Sequence, residues 1–442
     1  MTSLPLSLLD ELYLNLDRGG EPWTVHYELR LNEHLDAERL ARAISAAADR
    51  HPLARAQLAS WRFQDRGYEW EIADSLDAVP MKLAECRDEA ALEDERERLF
   101  RHSPSLETAA PFILLLARRA EGDSLVLNLH HAVGDGVSAA RLMLSILRAY
   151  AGDDDPVPAF DPLAVHDVRP LSVARSARER RARRRALARG AWRPFVPTAR
   201  VARDGGDDRP AYGFEFIGFT REDSDALLAR HPAGTTVNDV LLAALAVTVG
   251  RWNAEHGRHQ RLIALTMPMN LRPPDWRSEV VSNFASWVTI WIRLEPGDDV
   301  SSVITRVSRH TRAIKRERLG GLAVDLLEVP GKLMIAAKRW LQYYKTLTGD
   351  VVVDTASLSN LGRLEALPSQ FDGTTTGVGF SPPGQMPLGV SIGAATLDDR
   401  LHLTLRYRHA QFGRAAARSF AELYRAVLVG GADSRHVSPS VS

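Results

Sequence analysis

Two adjacent histidines, with an aspartate four residues after the second, form the part of this chain best suited to chemistry: His130-His131-Ala132-Val133-Gly134-Asp135-Gly136. Imidazole has an unperturbed pKa of about 6.5, which suits it to move protons near neutral pH. Alternation through Leu125-Val126-Leu127-Asn128-Leu129 predicts a half-buried strand that delivers the histidines. Apolar positions at Val137, Ala140, Leu142 to Leu144 and Ile146-Leu147 predict a helix that starts just after Gly136. Side chains alternate across a strand, so at most one of the two histidines shares a face with the groups after the turn. Three chemistries are open to the cluster. Histidine and carboxylate could bind a metal, but further ligands would be needed, and no H-E-x-x-H pattern supplies them. The pair could be structural, beside a turn-forming Asp-Gly. Or a neutral imidazole could take the proton from an alcohol or amine as it attacks a bound acyl group.

Composition narrows the class. The 442 residues are enough for two or three domains, and 45% hydrophobic with 25% charged is ordinary for a soluble globular protein. Fifty-six basic residues against fifty-six acidic ones leave no net charge to recruit nucleic acid or an anionic membrane. Cys86 is the single cysteine, which excludes an internal disulfide and suits a reducing compartment. The N-terminus meets Asp10-Glu11 too early for a signal peptide, and no apolar run approaches the roughly 20 residues of a spanning helix. A cytoplasmic protein is expected.

Around the histidines, periodicity predicts a helix over 4–17, a strand over 23–31 and a helix over 36–51. Short strands follow near 54–58 and 68–72, then a helix over 89–100, a strand pair over 112–118 and 125–130, and the helix of 137–150. Residues 152–172 are rich in Pro and Asp and read as a linker. The segment Arg175 to Arg189 carries eight arginines against one acid and predicts a helix. It is either a solvated crossover helix or a docking patch for something acidic. A second half follows, with strands at 212–219, 261–267 and 284–294 and an apolar helix after Thr236-Val237-Asn238-Asp239. Helices at 300–316 and 322–347, with Lys332, Lys338, Arg339 and Lys345 among apolar residues, precede a β-rich run over 351–358. Two strands, 388–395 and 401–409, and a helix over 413–429 complete it. The expected domains are 1–172, a crossover segment 173–211, and 212–442.

The motif His130-His131-Ala132-Val133-Gly134-Asp135-Gly136 resembles the HHxxxDG signature of the condensation-domain superfamily. Its surroundings are similar too: Asn238-Asp239-Val240-Leu241, Asn270-Leu271-Arg272-Pro273 with Val281-Ser282-Asn283-Phe284, and Ser359-Asn360-Leu361-Gly362. The resemblance spans nearly the whole chain. It implies an α+β fold of two chloramphenicol acetyltransferase-like lobes, α/β sandwiches arranged as a V-shaped pseudo-dimer with an active-site tunnel between them. It also implies a freestanding acyltransferase, because the chain ends without an adenylation or carrier domain. No Asp-Phe-Gly-Trp-Gly segment is present, which separates the chain from the plant acyltransferases. His130 with Asp135 also fits the HxxxxD spacing of glycerolipid acyltransferases, which lack the two-lobe layout.

By the same resemblance, His131 is the base and His130 is scaffold. Asp135 is a structural carboxylate that pairs with Arg272, and Gly136 permits a sharp turn and close approach to substrate. The Gly136 amide, Ser357, Ser359 and Asn360 are the candidate oxyanion donors. No permanently bound cofactor or metal is expected; the co-substrate is a thioester of coenzyme A or of a phosphopantetheine arm. The partners implied are an acyl or peptidyl carrier protein at Arg175 to Arg189 and a small alcohol or amine acceptor. Two alternatives remain open: a non-catalytic member that binds carrier-tethered intermediates, and a wax ester synthase-like lipid O-acyltransferase.

Overall fold

The computed structural model describes residues 2–17, 21–191, 196–229, 232–276, 280–341, 353–371 and 374–430. The first half contains β1 (Thr2–Pro5), α1 (Leu8–Leu16), β2 (Thr24–Leu31), α2 (Ala37–Arg50), β3 (Ala56–Leu58), β4 (Glu69–Ile72) and β5 (Met81–Glu85). It continues with α3 (Glu89–Leu99), β6 (Phe112–Arg119), β7 (Gly122–His130) and α4 (Gly136–Ala151). Then come the short α5 (Arg169–Ser172) and, in the crossover segment, α6 (Ala177–Ala191). The second half runs through β8 (Tyr212–Gly218), α7 (Arg221–Ala229), α8 (Val237–Glu255), β9 (Leu262–Asn270), β10 (Ala285–Arg293), α9 (Val300–Arg316), α10 (Leu322–Gly331) and α11 (Ile335–Leu341). It ends with β11 (Ala356–Arg363), β12 (Thr375–Ser381), β13 (Val390–Leu397), β14 (Arg400–Arg408) and α12 (Arg414–Val429).

Two large sheets, each with its own core, make the fold α+β, as the sequence implies. The first sheet has the order β12-β2-β7-β6-β5, the second β10-β9-β11-β13-β14-β8, and β1-β4-β3 form a small third sheet. In the second sheet β11 runs parallel to both β9 and β13, while the outer pairs are antiparallel. One apolar cluster gathers under α2 and α4 on the first sheet, the other around α8, α9 and α12 on the second. Helix α8 is buried almost all round, which is why its sequence is apolar on every face.

The sheets do not coincide with the halves of the chain. Strand β12 leaves the second half and pairs antiparallel with β2 in the first sheet, placing Phe380 opposite Tyr27. Buried hydrogen bonds tie the halves again: the Arg406 guanidinium donates to the Thr24 carbonyl at 2.6 Å, and the Tyr212 hydroxyl to Pro22 at 3.0 Å.

Local differences from the sequence expectations have specific causes. The helix expected over 4–17 starts only at Leu8, because Ser7 and Asp10 close a reciprocal capping box there. The residues before it pair with β4 as an edge strand. Strands β5 and β12 and helix α7 were not expected. The run expected to end at Leu358 continues as strand to Arg363, and its residues 351–352 lie outside the described residues, as do 342–347 and Lys345 of the second-half helical stretch. Helix α6 forms over the arginine-rich segment as expected. One of its arginines, Arg183, is buried, where it pairs with Asp325 at 2.7 Å.

Candidate active site

The motif sits where β7 ends and α4 begins. Asp135 is the N-cap of α4, and its side chain accepts from the Ser138 amide. Gly152, in the left-handed region at φ 84°, closes the other end of the helix. Asp135 is 1% exposed and every lone-pair direction is occupied: Arg272 donates from Nη1 at 2.6 Å and from Nη2 at 2.9 Å, and the Phe284 amide donates at 3.0 Å. Burial alone would raise this carboxyl, but Arg272 and the two amides hold it below the usual carboxylate range. Arg272 also donates to the Ser138 hydroxyl at 2.8 Å and the Ser282 carbonyl at 2.6 Å, and its guanidinium lies 4.6 Å from the Phe284 ring centroid. The residue therefore clamps the motif turn to the strand entry of β10. Asp135 has no capacity left to act as a base.

The two histidines diverge as strand alternation requires. His130 accepts the Ala132 amide on Nδ1 at 3.1 Å, so its Nε2 carries the proton and faces Asp17 at 3.7 Å. It lines a cavity with Asp17, Ser103 and Arg339. His131 lines a different cavity, of about 320 Å³, between the first sheet's elements and the second sheet. Tyr13 of α1 packs on it with ring centroids 4.1 Å apart, and Asn283 donates to its carbonyl at 2.7 Å. Its Nδ1 is shut off from solvent, which leaves Nε2 as the nitrogen facing the cavity. Burial pushes the imidazole down to about 4, against the opposing pull of its own main chain, Asp135 and Asn283. The ring is neutral at physiological pH.

Behind this arrangement lies a buried polar relay whose role sequence reasoning missed. Asp10 accepts from Asn283 at 3.0 Å and stands 2.6 Å from His166, and His166 meets the Ser282 hydroxyl at 2.8 Å. Ser138 donates to the Ser282 carbonyl at 2.7 Å. The presumed linker thus supplies a buried histidine to the motif's support. In the sequence Asp10 is an acid within an expected helix and His166 a residue of an expected linker, and neither position signals the relay.

The remaining expected residues separate. Gly136 lines the His131 cavity, and the group that approaches it closely is Phe380: a Cβ there would stand 2.5 Å from the Phe380 ring. Ser357 and Ser359, on the same face of β11, line the cavity, and the Ser357 hydroxyl is buried without a hydrogen-bond partner. Asn360 points to the other face and is engaged at a strand irregularity, where it accepts the Gly362 amide at 2.8 Å. Alternation along β11 therefore takes it out of the donor set. An acidic residue unanticipated from sequence also lines the cavity: Asp354, which accepts from the Thr266 and Thr289 hydroxyls. Among the described residues no three His, Cys, Asp or Glu side chains converge as metal ligands, and no helix is long and apolar enough to cross a membrane.

A family model of the condensation domain matches residues 12–184. An uncharacterized protein of Mycobacterium tuberculosis is 34% identical over 431 residues, covering 97% of this chain and 99% of the relative. Surfactin synthase subunit 1 of Bacillus subtilis is 22% identical over 437 residues, 92% of this chain but 11% of the synthase. Among solved structures, the first condensation domain of the calcium-dependent antibiotic synthetase in complex with a substrate analogue aligns with a TM-score of 0.71 at 15% identity, over 97% of each chain. The SgcC5 protein of Streptomyces globisporus aligns with a TM-score of 0.65 at 17% identity, over 96% of this chain and 98% of that one. The chain belongs to the condensation-domain superfamily, and its fold is the chloramphenicol acetyltransferase-like fold of that superfamily. Acyl or peptidyl transfer, in company with carrier proteins, is the work of the family.

Proposed function

We propose that this protein transfers an acyl group from a thioester, carried on coenzyme A or on the phosphopantetheine arm of a carrier protein, to a hydroxyl or amine, with His131 as the general base. The observation that carries this reading is a neutral imidazole whose one open nitrogen faces a cavity between the two sheets, inside an intact motif. The acceptor's O–H or N–H proton passes to Nε2 of His131 while its oxygen or nitrogen bonds to the thioester carbonyl carbon. A base that burial depresses to about 4 gains strength as negative charge develops on the carbonyl oxygen beside it. The Gly136 amide and the Ser357 and Ser359 hydroxyls are the donors available to that oxygen. Collapse breaks the C–S bond, and the departing thiolate recovers the proton from the imidazolium as a thiol. Asp135 and Arg272 fix the turn and do not react.

The exposed arginines of α6, Arg178, Arg180, Arg181, Arg184 and Arg185, suit an acidic carrier or a phosphorylated nucleotide. A cytoplasmic setting goes with such donors. A mass-spectrometric screen of acyl-coenzyme A and carrier-bound acyl donors against small alcohols and amines tests the reading. Ester or amide product dependent on the protein is expected. Free thiol with no acylated product, or no turnover with any donor, would overturn it.

A further inference from the structure

A second cavity, of about 260 Å³, opens beside α4, lined there by Val137, Ala140, Met143 and Leu144. The same three elements line both spaces. On β2, Val25 lines the His131 cavity and Tyr27 and Leu29, the next two residues on that face, line the second. On β11, Ser357 and Ser359 line the first, and Leu361 and Arg363 the second. On α4, Gly136 borders the first, and Val137, Ala140 and Leu144 the second. Phe380 of the first cavity and Leu361 of the second both crowd Gly136, where a Cβ would stand 2.5 and 3.0 Å from them.

Like the His131 cavity, the second is mostly apolar, with Leu29, Val137, Met143, Leu361, Leu364 and Leu367 in its wall. Its charged members are already engaged: Arg141 with Asp155 at 2.6 Å, Glu365 with Arg148 at 3.4 Å, and Arg363 with Asp399. The space therefore has little to offer an anion and much to offer hydrocarbon. A cavity of about 150 Å³ with such a lining holds benzene, so in proportion this one holds about ten carbons.

We propose that this cavity is a hydrocarbon subsite, entered from the His131 chamber past Phe380, for an unbranched or aromatic chain of about ten carbons borne by one of the two reaction partners. The proposal rests on the acyl-transfer reading for its substrate, and adds the class of group that substrate carries. Phe380 is the gate and Gly136 the position that lets the ring close.

Three measurements test it, on the full chain. Fluorescence titration with dansyl-undecanoic acid reads occupancy without any turnover. Filling the cavity with Ala140→Trp, or independently Leu364→Trp, should weaken probe binding by about tenfold, the equivalent of about two buried methylenes. Thermal melts of both variants establish that they fold. In the transfer assay, one arm varies donor chain length against a fixed small acceptor, and the other varies the acceptor against an acetyl donor. In the arm carrying the chain, the same substitutions should cut the ten-carbon to two-carbon ratio of kcat/KM about tenfold, and Phe380→Ala should raise it. Probe binding and chain-length ratios indifferent to both fillings would overturn the subsite while leaving acyl transfer intact. Probe binding lost in the filled variants, with no transfer in any assay, would support the subsite and count against the acyl-transfer reading instead.

Discussion

Arg272 grips Asp135 through both carboxylate oxygens, at 2.6 and 2.9 Å, across 137 residues of sequence and with both side chains essentially out of solvent. The pair joins the N-cap of α4 to the segment leading into β10, so it sets where the motif turn lies relative to the second sheet. Removing the cation leaves a buried carboxylate with two amides and the Ser138 hydroxyl as its partners. Arg272→Ala should therefore lower stability by about 3–5 kcal/mol. Arg272→Lys should recover little of it, since one ammonium cannot reproduce two parallel donors. Urea denaturation of both variants checks this. An alanine variant within about 1 kcal/mol of the parent would show that the pair does not hold the turn.

Gly136 is required by its neighbour rather than by its backbone angles. A methyl group there would meet the Phe380 ring at 2.5 and 2.6 Å and Leu361 at 3.0 Å. Gly136→Ala should cost about 1–3 kcal/mol, the usual range for overpacking. Adding Phe380→Leu should restore part of that loss, giving a coupling in a double-mutant cycle. Additive effects would place the strain elsewhere.

Acid should weaken the fold through its buried histidines. Burial depresses His26, His131 and His402 to about 4 and His51 to about 3, below the roughly 6.5 of an unfolded chain. Between those values the unfolded state binds protons that the folded state refuses. The stability these neutral rings contribute is complete above about pH 6.5 and is lost as pH falls through 5 towards 4, on the order of 3 kcal/mol for each of the fully buried ones. His166 works in the opposite sense: burial lowers it, but Asp10 raises it further, so protonation favours the folded state there. Melting temperatures at pH 7, 5.5 and 4.5 should fall progressively. A flat profile over that span would mean the histidines are hydrated.

The legibility of this site in the sequence followed the range of the interactions. The strand, turn and helix carrying the motif are local, and their periods and the Asp-Gly punctuation announced them. The role of Arg272 came from resemblance, since no local pattern couples a residue near 270 to one near 135. Strand β12 was missed because Thr-Thr-Gly-Val-Gly-Phe-Ser contains two glycines and little alternation; it is a strand because β2 offers it an edge. Asn360 was misplaced for the converse reason. Ser-Leu-Ser-Asn looked like a strand end, and only its pairing with β13 shows that Ser357 and Ser359 share a face from which Asn360 is turned away. Asp10 and His166 meet only in the folded chain, so nothing in their own neighbourhoods marked them.

His131 carries the central claim, and one comparison tests it. Thiol release and acylated product should be followed with the best donor and acceptor for the parent protein and for His131→Ala, with circular dichroism and melting temperature measured in parallel. Product formation at background is expected in the variant with the fold retained, and in the parent an acidic limb of kcat/KM well below pH 6.5, because the free base is depressed to about 4. Turnover near the parent's in a folded His131→Ala protein would contradict the claim.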